Sequence, residues 1–328
     1  MNLKKRKGYK FKKLSKSEIK EIKSYWTKYG KRVSPSWVAY YSYGNDIFDL
    51  RYIPDSLYYG EIARKLSMRG MGALHHKNVQ DQIFSTKQGK TFIRKTEEIY
   101  TDGNYRPITL EQGIKVCKEQ GEVIIKPSTG TYGGASIKFW SEREGEDKLR
   151  QLIGSYKQAV VQEVIKSHPF LNDIHPSSLN TLRIVTLLVD NKPVLLSTLL
   201  RMGQNNSKVD NYSAGGLIAV VDKNGVIQEK AVQSNQEIIR KHPNGFIFKN
   251  KTIPNFGKVI EDAYTQHFRI PYFKMVSWDY AIDYEGNPVL IEANIPTGQI
   301  DFDQLNIGPI FGEYTDRVLD YVYKGESL

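Results

Sequence analysis

The alternation of apolar and polar residues along the 328-residue chain predicts a mixture of short strands and helices. Near the C-terminus, two runs rich in β-branched and aromatic residues, 276–282 and 289–294, flank a turn that contains Gly286 and Pro288. This combination predicts a hairpin. Helical spacing of apolar residues predicts helices at 14–29, 110–120, 146–156, 255–268 and 316–323. The pattern as a whole predicts an α+β fold with two or three layered subdomains.

Two carboxylates face each other in this hairpin. If positions whose numbers sum to 571 pair, Asp279 lies directly opposite Glu292, and Asn294 shares the face of Glu292. Like charges about 5 Å apart repel by about 3 kcal/mol at an effective dielectric constant of about 20. A divalent cation would reverse the sign, and the oxygen donors of Asp279, Glu292 and Asn294 suit Mg²⁺ better than Zn²⁺. The alternative is a solvated edge hairpin whose carboxylates point into water.

The net charge of +11 is confined to the N-terminal arm. Residues 1–32 contain 13 lysines and arginines and only two acids, so residues 33–328 are balanced in charge. This pattern suits a tether to an anionic membrane surface or a polyanion, and the alternative is a basic face that is simply solvated. Outside the arm no basic stripe is interleaved with aromatic residues, so we expect no nucleic-acid partner.

The cysteine count and the hydropathy pattern indicate the cellular compartment of the protein. Cys117 is the only cysteine, so no intrachain disulfide is possible, and its place in a predicted helix favours a packed thiol over a nucleophile. No apolar run approaches the roughly 18 residues that a membrane span needs. We therefore expect a cytoplasmic protein, held at the inner membrane face if the basic arm binds lipid.

A second candidate region runs from residue 122 to residue 140. A short apolar strand ends on Lys126, and a loop of small residues and a second strand follow. Glycines let backbone N–H groups approach phosphate oxygens, so the hairpin tip has the composition of a nucleotide lid. The loop residues that we expect to contact the nucleotide are Ser128, Gly133 and Gly134. The alternative is a surface hairpin with a lysine that reaches into water.

Two further strands carry polar residues among apolar neighbours. The strand at 159–165 bears Gln162 and Glu163, and its end offers backbone groups that could read an adenine; an ordinary edge strand is the alternative. In the next pair of strands, Arg183 lies in the first and Arg201 ends the second. Because arginine does not lose its charge, both need anions, either from a substrate or from structural salt bridges.

The combined pattern resembles the sugar-transfer-associated family of the ATP-grasp superfamily over roughly residues 75–328. The family occurs with genes for capsule and exopolysaccharide biosynthesis. The motifs that carry the resemblance are Asn180-Thr181-Leu182-Arg183, Arg201-Met202-Gly203, Val209-Asp210-Asn211 with Gly215-Gly216, and Ile291-Glu292-Ala293-Asn294.

The resemblance implies an ATP-grasp fold, in which two α+β subdomains hold a nucleotide between them. It divides the chain into a basic arm with a helix (1–32), an aromatic N-terminal region (33–109), a small nucleotide-lid subdomain (110–175) and a central subdomain with the metal site (176–328). It further implies ATP and Mg²⁺ as cofactors. The metal ligands would be Asp279, Glu292 and Asn294.

Roles for other residues also follow from the resemblance. Lys126 would contact phosphate, and Glu163, Val164 and Ile165 would line the adenine pocket beside Gln162. Arg183, with Arg201, would neutralise charge on the transferring phosphoryl group or acyl phosphate. One departure is Gln82, which stands where many members carry a nucleotide-binding lysine or arginine; Lys77 or Lys87 is the candidate replacement. Asp173 is the candidate for binding the ribose.

The resemblance implies an ATP- and Mg²⁺-dependent carboxylate–amine ligase. We expect it to activate a uronic acid or related acid, free or sugar-linked, as an acyl phosphate that an amine attacks, in a surface-polysaccharide pathway. One alternative is a kinase for a hydroxyl of a sugar or polyol. A second alternative is a non-catalytic polyanion-binding protein whose active part is the arm.

Overall fold

The computed structural model describes residues 10–68, 70, 74, 76–129, 136–210, 215–233, 237–295 and 298–328. Within these ranges the strands form two antiparallel sheets. The smaller sheet contains β1 (Thr91–Thr96), β2 (Ile99–Thr101), β3 (Glu122–Pro127), β4 (Lys138–Ser141) and β5 (Gln158–Gln162), in the spatial order β2-β1-β5-β3-β4. The larger sheet contains β6 (Thr181–Val189), β7 (Lys192–Met202), β8 (Leu217–Val221), β9 (Ile227–Val232), β10 (Ile238–Ile239), β11 (Met275–Ile282) and β12 (Pro288–Asn294), in the order β10-β9-β8-β7-β6-β11-β12.

The five helices that the apolar spacing predicts are present, and the described residues form six further helices, among them the ten-residue α2, that were not predicted. The helices are α1 (Lys16–Thr27), α2 (Ser36–Asn45), α3 (Asp55–Leu57), α4 (Ala63–Lys65), α5 (Gln80–Ile83), α6 (Leu110–Gln120), α7 (Glu146–Gly154), α8 (Pro169–Ile174), α9 (Phe256–His267), α10 (Asp301–Asn306) and α11 (Thr315–Lys324). A π-helical turn, Tyr58–Ile62, joins α3 to α4. A capping box fixes the start of α1, where the backbone N–H of Glu18 donates to the Ser15 hydroxyl at 3.2 Å. In the described ranges, every helix is too short or too polar to cross a bilayer.

The sheets cross the segment boundaries that the sequence predicts. β1 and β2 lie at residues 91–101, before the predicted boundary at 110, yet β1 pairs with β5 and so belongs to the smaller sheet. The N-terminal region is also not a separate layer. Ile22 and Trp26 of α1 lie in the same apolar core as Val185 of β6 and Val318 of α11. The helices between residues 16 and 65 therefore pack with the larger sheet, because their apolar residues need its surface to be buried.

The larger sheet is covered on both faces. On one face, Val259 of α9 shares an apolar core with Leu182 of β6 and Trp278 of β11. On the other face, Phe302 of α10 packs with Leu199 of β7. The strand β11 is buried along its whole length, as expected for a strand between two neighbours in a doubly covered sheet. The face under α10 carries the polar residues described below.

The hairpin β11–β12 has the predicted register over its functional half. Ser277 pairs with Asn294, and Asp279 pairs with Glu292. Beyond Asp279 the register shifts by one residue, so Tyr280 pairs with Leu290 and the rule that paired positions sum to 571 is wrong from there to the turn. A bulge adds one residue to a strand and leaves it unpaired. The bulge therefore ends the polar part of the hairpin directly after the two carboxylates.

Candidate functional site

The polar residues of the larger sheet lie in rows that run across four strands. Arg183 of β6 pairs with Asp279 of β11, which pairs with Glu292 of β12. Residues directly opposite each other in a sheet share a face, so these three side chains lie side by side. Leu199 of β7 extends the same row. Topology thus brings together residues more than a hundred positions apart in sequence.

An adjacent row lies two residues along each strand. It runs from Ser197 of β7 through Val185 of β6 and Ser277 of β11 to Asn294 of β12. On the other side of the first row, Arg201 of β7 pairs with Thr181. The three rows form the floor of the candidate site, and we call this surface the site face.

Asp279 is the centre of the charge network on the site face. Arg183 donates to both of its oxygens, from Nε and Nη2, at 2.8 Å each. Arg201 donates from Nη1 to Oδ2 at 3.0 Å, and the Asn294 amide donates to the same oxygen at 3.3 Å. Burial alone would raise the pKa of Asp279, but the charges of Arg183 and Arg201 outweigh it and hold the pKa well below its usual range. Asp279 is therefore ionised at every physiological pH.

Asp210 provides a second anion for Arg201. Arg201 Nη2 lies 3.3 Å from Asp210 Oδ1, and the Thr181 hydroxyl donates to the other oxygen of Asp210. Structural salt bridges are thus present at both arginines that the sequence singled out. Asn211, which follows Asp210 in the motif, lies outside the described residues.

The first motif residues hold the ends of these strands in place. The Asn180 amide donates to the carbonyls of Leu171, at 2.7 Å, and His175, at 3.1 Å, so it fixes α8 and the chain after it. Gly203 lies so close to this segment that a Cβ atom there would be 2.4 Å from the Ser178 hydroxyl. A larger residue at position 203 would push these groups apart, so the end of β7 needs glycine.

Two lysines reach the edge of the site face at β12. Lys77 Nζ lies 2.6 Å from Glu292 Oε1. Lys126, at the end of β3, donates to Gln162 Oε1 at 3.2 Å. Burial and, to a smaller extent, the charge of Lys77 lower the pKa of Lys126 to about 8, and Glu292 partly opposes both. The structure thus places Lys77 with Lys126, whereas Lys87 forms an ion pair of 2.6 Å with Asp283 in the hairpin turn.

The segment predicted to line an adenine lies at the end of a central strand. β5 lies between β1 and β3, so its interpretation as an edge strand is wrong. The Gln162 amide donates to the Gly89 carbonyl at 3.2 Å, and Glu163 N–H donates to the Lys90 carbonyl at 2.9 Å. Val164 and Ile165 follow the strand and are half-buried. Because the strand ends there, the backbone after Gln162 leaves the sheet.

The remaining predicted nucleotide contacts are described only in part. Ser128 is buried, and its hydroxyl has no hydrogen-bond partner among the described residues. Its carbonyl accepts from Lys77 N–H at 3.0 Å, which ties Lys77 to the smaller sheet. Gly133 and Gly134 lie outside the described residues. Asp173 is exposed on α8, and no hydrogen bond or ion pair within the described ranges joins its carboxylate to the other predicted residues.

The oxygen donors predicted for Mg²⁺ are of the type that a hard cation prefers, and they lie on neighbouring strands. Asp279 and Glu292 lie opposite each other, and Asn294 is two residues further along the strand. Glu292 Oε2 makes no hydrogen bond to the described residues, whereas both oxygens of Asp279 are engaged by arginine. Metal binding would therefore require Asp279 to exchange a guanidinium for the ion. Among the described residues no group of three His, Cys, Asp or Glu side chains is placed to hold a metal.

One acidic residue that packs against the site face was not predicted from the sequence. Asp303 of α10 is 1% exposed and accepts a hydrogen bond of 2.5 Å from the Ser197 hydroxyl. Its sequence signal is weak: Asp303 and Ile307 are four residues apart, so an acid shares the apolar face of a short helix.

The thiol of Cys117 is packed, as predicted, since Cys117 is fully buried in α6.

Comparison with known proteins identifies the family. A model of the sugar-transfer associated ATP-grasp family matches residues 74–312, whereas no curated protein sequence matches the chain.

Among solved structures, the chain resembles N5-carboxyaminoimidazole ribonucleotide synthetase in its ADP complex (9% identity, TM-score 0.44), covering 69% of this chain and 46% of that one. It resembles the biotin carboxylase domain of the Hydrogenobacter thermophilus 2-oxoglutarate carboxylase (12% identity, TM-score 0.49), covering 78% of this chain and 46% of that one. It also resembles the D-alanine–D-alanine ligase of Bacillus anthracis (12% identity, TM-score 0.44; 78% and 70%).

The chain spans about half the length of the first two of these proteins. These likenesses are too remote to carry activity or substrate. The family match covers most of the chain and includes both sheets. The chain belongs to the sugar-transfer associated ATP-grasp family.

Proposed function

We propose that the protein is an ATP- and Mg²⁺-dependent carboxylate–amine ligase that works through an acyl phosphate. The observation that carries the proposal is the site face, where Arg183, Asp279 and Glu292 form one row and Lys77 and Lys126 lie at its edge. Such a row offers cations for phosphate oxygens and carboxylates for a metal within one surface.

The nucleotide would lie between the two sheets. Lys126 and Lys77 would bind its phosphates, since both lie at the edge of the site face where the smaller sheet meets the larger. The segment 162–165 would line the adenine, and the loop at 128–134, including Ser128, Gly133 and Gly134, would cover the phosphates. Asp173 remains the candidate for the ribose.

Asp279, Glu292 and Asn294 would hold Mg²⁺. A metal held there would supply positive charge for the phosphoryl transfer. Once Asp279 has released them, Arg183 and Arg201 would turn to the transferring phosphoryl group and to the carboxylate of the substrate. The arginines would thus be held near the reaction centre by a carboxylate until the substrates arrive.

The acid would be a uronic acid or a related acid of capsular or exopolysaccharide biosynthesis, free or sugar-linked, and a small amine would be its partner. The basic arm, residues 1–32, would hold this cytoplasmic enzyme at the inner membrane face or on a polyanionic product. Lys16, Lys20 and Lys23 are exposed on α1, whereas Ile22 on the same helix is buried in the core. That division leaves the basic side chains available to an anionic surface.

The test follows the γ-phosphate of labelled ATP in the presence of Mg²⁺, pooled uronic acids and sugar nucleotides, and pooled amino acids. Free phosphate that depends on both an acid and an amine, with a hydroxamate when hydroxylamine replaces the amine, would support the ligase. Label retained on a hydroxylamine-stable sugar would identify a kinase instead and refute the proposal.

Two variants sharpen this test. Glu292→Gln should abolish ATP turnover, whereas Glu285→Gln, the same change in the exposed turn of the same hairpin, should leave it unchanged. Full turnover in Glu292→Gln would contradict the proposed metal site. Deletion of residues 1–13 should keep turnover and weaken binding to anionic vesicles. If the undeleted chain shows no turnover and the deletion abolishes polyanion binding, a non-catalytic protein would be favoured.

A further inference from the structure

The helix α10 buries a carboxylate against the site face. Phe302 and Ile307 pack with the apolar residues that extend the floor across β7 and β8, which are Leu199, Ile218 and Val220. Between these two anchors, Asp303 is 1% exposed, and its Oδ1 accepts from the Ser197 hydroxyl at 2.5 Å. Its Oδ2 has no hydrogen-bond partner among the described residues. A buried carboxylate oxygen without a donor is costly, so a fold that keeps one needs a reason.

The position of Asp303 relative to the reaction centre suggests the reason. Ser197, its partner, lies in the row adjacent to Arg183 and on the neighbouring strand. The phosphate lysine Lys77 lies at the other end of the floor, beside Glu292 on β12. At about 4.8 Å per strand, the distance from β7 to β12 is about 14 Å. Arg183 and Asp279, on β6 and β11, lie between these two ends, so Asp303 lies on the side opposite Lys77, and on the proposed ligase route this side is left for the second substrate.

The attacking amine must be deprotonated in the site before it can react. An amine is largely protonated near neutral pH and has no free electron pair until it loses a proton. On the proposed ligase route, the nitrogen attacks the carbonyl carbon of the acyl phosphate and a C–N bond forms. The C–O bond to phosphate breaks, and phosphate leaves with the electron pair. The ammonium nitrogen loses two protons on the way to the amide: the first must go to a base in the site before attack, and the second leaves after attack with the departing phosphate.

We infer that Asp303 is the base for the acceptor amine: its carboxylate binds the ammonium group through Oδ2 and takes the proton before the nitrogen attacks. The inference rests on the proposed ligase function and adds to it the residue that selects and activates the second substrate. The class of acceptor that fits is a primary amine that is cationic in solution.

The charged and titratable surroundings suit this role. The pKa of the Asp303 carboxyl is raised to about 7, chiefly by burial; the Ser197 hydroxyl and the charge of Arg183 oppose this rise, and Asp301 on the same helix adds to it. The charge of Asp303 in turn contributes to raising the pKa of the Tyr58 and Tyr59 phenols in the π-helical turn, which burial raises most. A base works best when its pKa lies near the operating pH.

The first test separates the two halves of the reaction in Asp303→Asn. Hydroxylamine is unprotonated at neutral pH and needs no base, so acid-dependent hydroxamate formation should stay within a few-fold of wild type. Amine-dependent phosphate release should fall by about 100-fold or more. The matched control is Asp262→Asn, which removes a carboxyl that accepts from Tyr280 behind the sheet, and it should retain both activities.

Each result has one meaning. Wild-type amine-dependent turnover in Asp303→Asn overturns the inference. Loss of both activities in folded variant protein also overturns it, since Asp303 would then serve the phosphoryl step. If wild-type protein forms no hydroxamate with any acid, the proposed ligase itself fails, and that failure is visible without any variant.

A second variant keeps the inference testable if Asp303→Asn does not fold. Ser197→Ala retains the carboxyl and removes the hydroxyl whose hydrogen bond lowers its pKa. The rising limb of the pH profile for amine-dependent turnover should move to higher pH, while the profile of hydroxamate formation stays in place. An unmoved rising limb would overturn the inference, because a merely structural Asp303 would not set that limb.

Discussion

Replacing Asp303 by asparagine should make the protein more stable above pH 7, although it removes a buried hydrogen-bonded group. The reason lies in the ionised form of the carboxyl. Asp303 is fully buried, and one of its oxygens has no donor among the described residues. At high pH the folded chain therefore holds a poorly solvated negative charge, which asparagine would not carry.

The magnitude follows from the pKa values of the folded and unfolded states. Burial raises the pKa from the ordinary value of 3.8 to about 7. A raised pKa stabilises the fold only while the carboxyl is protonated, so this stability is full below pH 3.8 and is lost as the pH rises to 7. At about 1.4 kcal/mol per pKa unit, the loss in wild type is about 4 kcal/mol. Asparagine does not titrate, so the variant keeps that stability.

The assay is urea unfolding of both proteins across a pH series from 4 to 8, followed by tryptophan fluorescence. The free energy of unfolding of Asp303→Asn minus that of wild type should rise by about 4 kcal/mol across the series. Any change in the free energy of unfolding that the amide causes equally at every pH shifts the whole difference and leaves its pH dependence unchanged. Asp147→Asn, which removes an exposed carboxyl on α7, should give a flat difference. A flat difference for Asp303→Asn would refute the reasoning.

Three further predictions concern other parts of the molecule. Asp279→Asn should abolish ATP turnover and reduce the free energy of unfolding by about 3 kcal/mol in urea titrations, because Arg183 keeps a buried charge without its carboxylate; a loss below about 1 kcal/mol would contradict this. Lys126→Met should weaken ATP binding by roughly 10- to 100-fold in calorimetry, the worth of one charge-assisted contact, and unchanged affinity would exclude it from the nucleotide site. Burial raises the pKa of the Cys117 thiol to about 12, so iodoacetamide at pH 8 should label it only in urea; rapid labelling of native protein would show that the thiol is accessible.

The parts of the site that are fixed by local determinants could be predicted from the sequence. Alternation of side chains and turn residues set the register around Asp279 and Glu292, which the structure confirms. The bulge that follows could not be predicted, because an extra residue in one strand depends on packing against the layers above and below. The same limit applies to β1, whose place in the smaller sheet depends on pairing with a strand some 60 residues later.

Two opposed carboxylates require a cation, and the sequence alone suggested a metal. In the structure, Arg183 lies directly beside Asp279, because β6 pairs with β11 across a separation of 96 residues. Pairing between distant strands is a property of topology, which a search for local motifs does not contain. Asp303 was missed for the same reason: its burial depends on how α10 lies on β7 and β8.

The ion pairs on the site face imply an exchange of partners on substrate binding. Lys77 binds Glu292, yet in the proposed complex the lysine faces phosphate and the carboxylate faces Mg²⁺. Phosphate would therefore compete with Glu292 for Lys77, and Mg²⁺ would compete with Lys77 for Glu292. Removing the lysine should free Glu292 for the cation, so Lys77→Met should bind Mg²⁺ more tightly than wild type when no nucleotide is present, and should bind ATP more weakly.

Calorimetric titration of the nucleotide-free proteins with Mg²⁺ tests this exchange, and Lys87→Met is the matched control, because Lys87 pairs with Asp283 outside the site face. An ion pair of this kind is worth about 1 kcal/mol when partly exposed, so the gain in Mg²⁺ affinity should be roughly five-fold. Unchanged or weaker Mg²⁺ binding in Lys77→Met would mean that Glu292 is not a ligand of the metal. Since Lys77 also approaches Lys126, its loss should in addition raise the pKa of Lys126 above about 8, because the neighbouring positive charge that lowers it is gone. The two shifts, tighter metal binding and a more basic lysine, have one electrostatic origin, so observing one without the other would show that Lys77 acts through only one of its two neighbours.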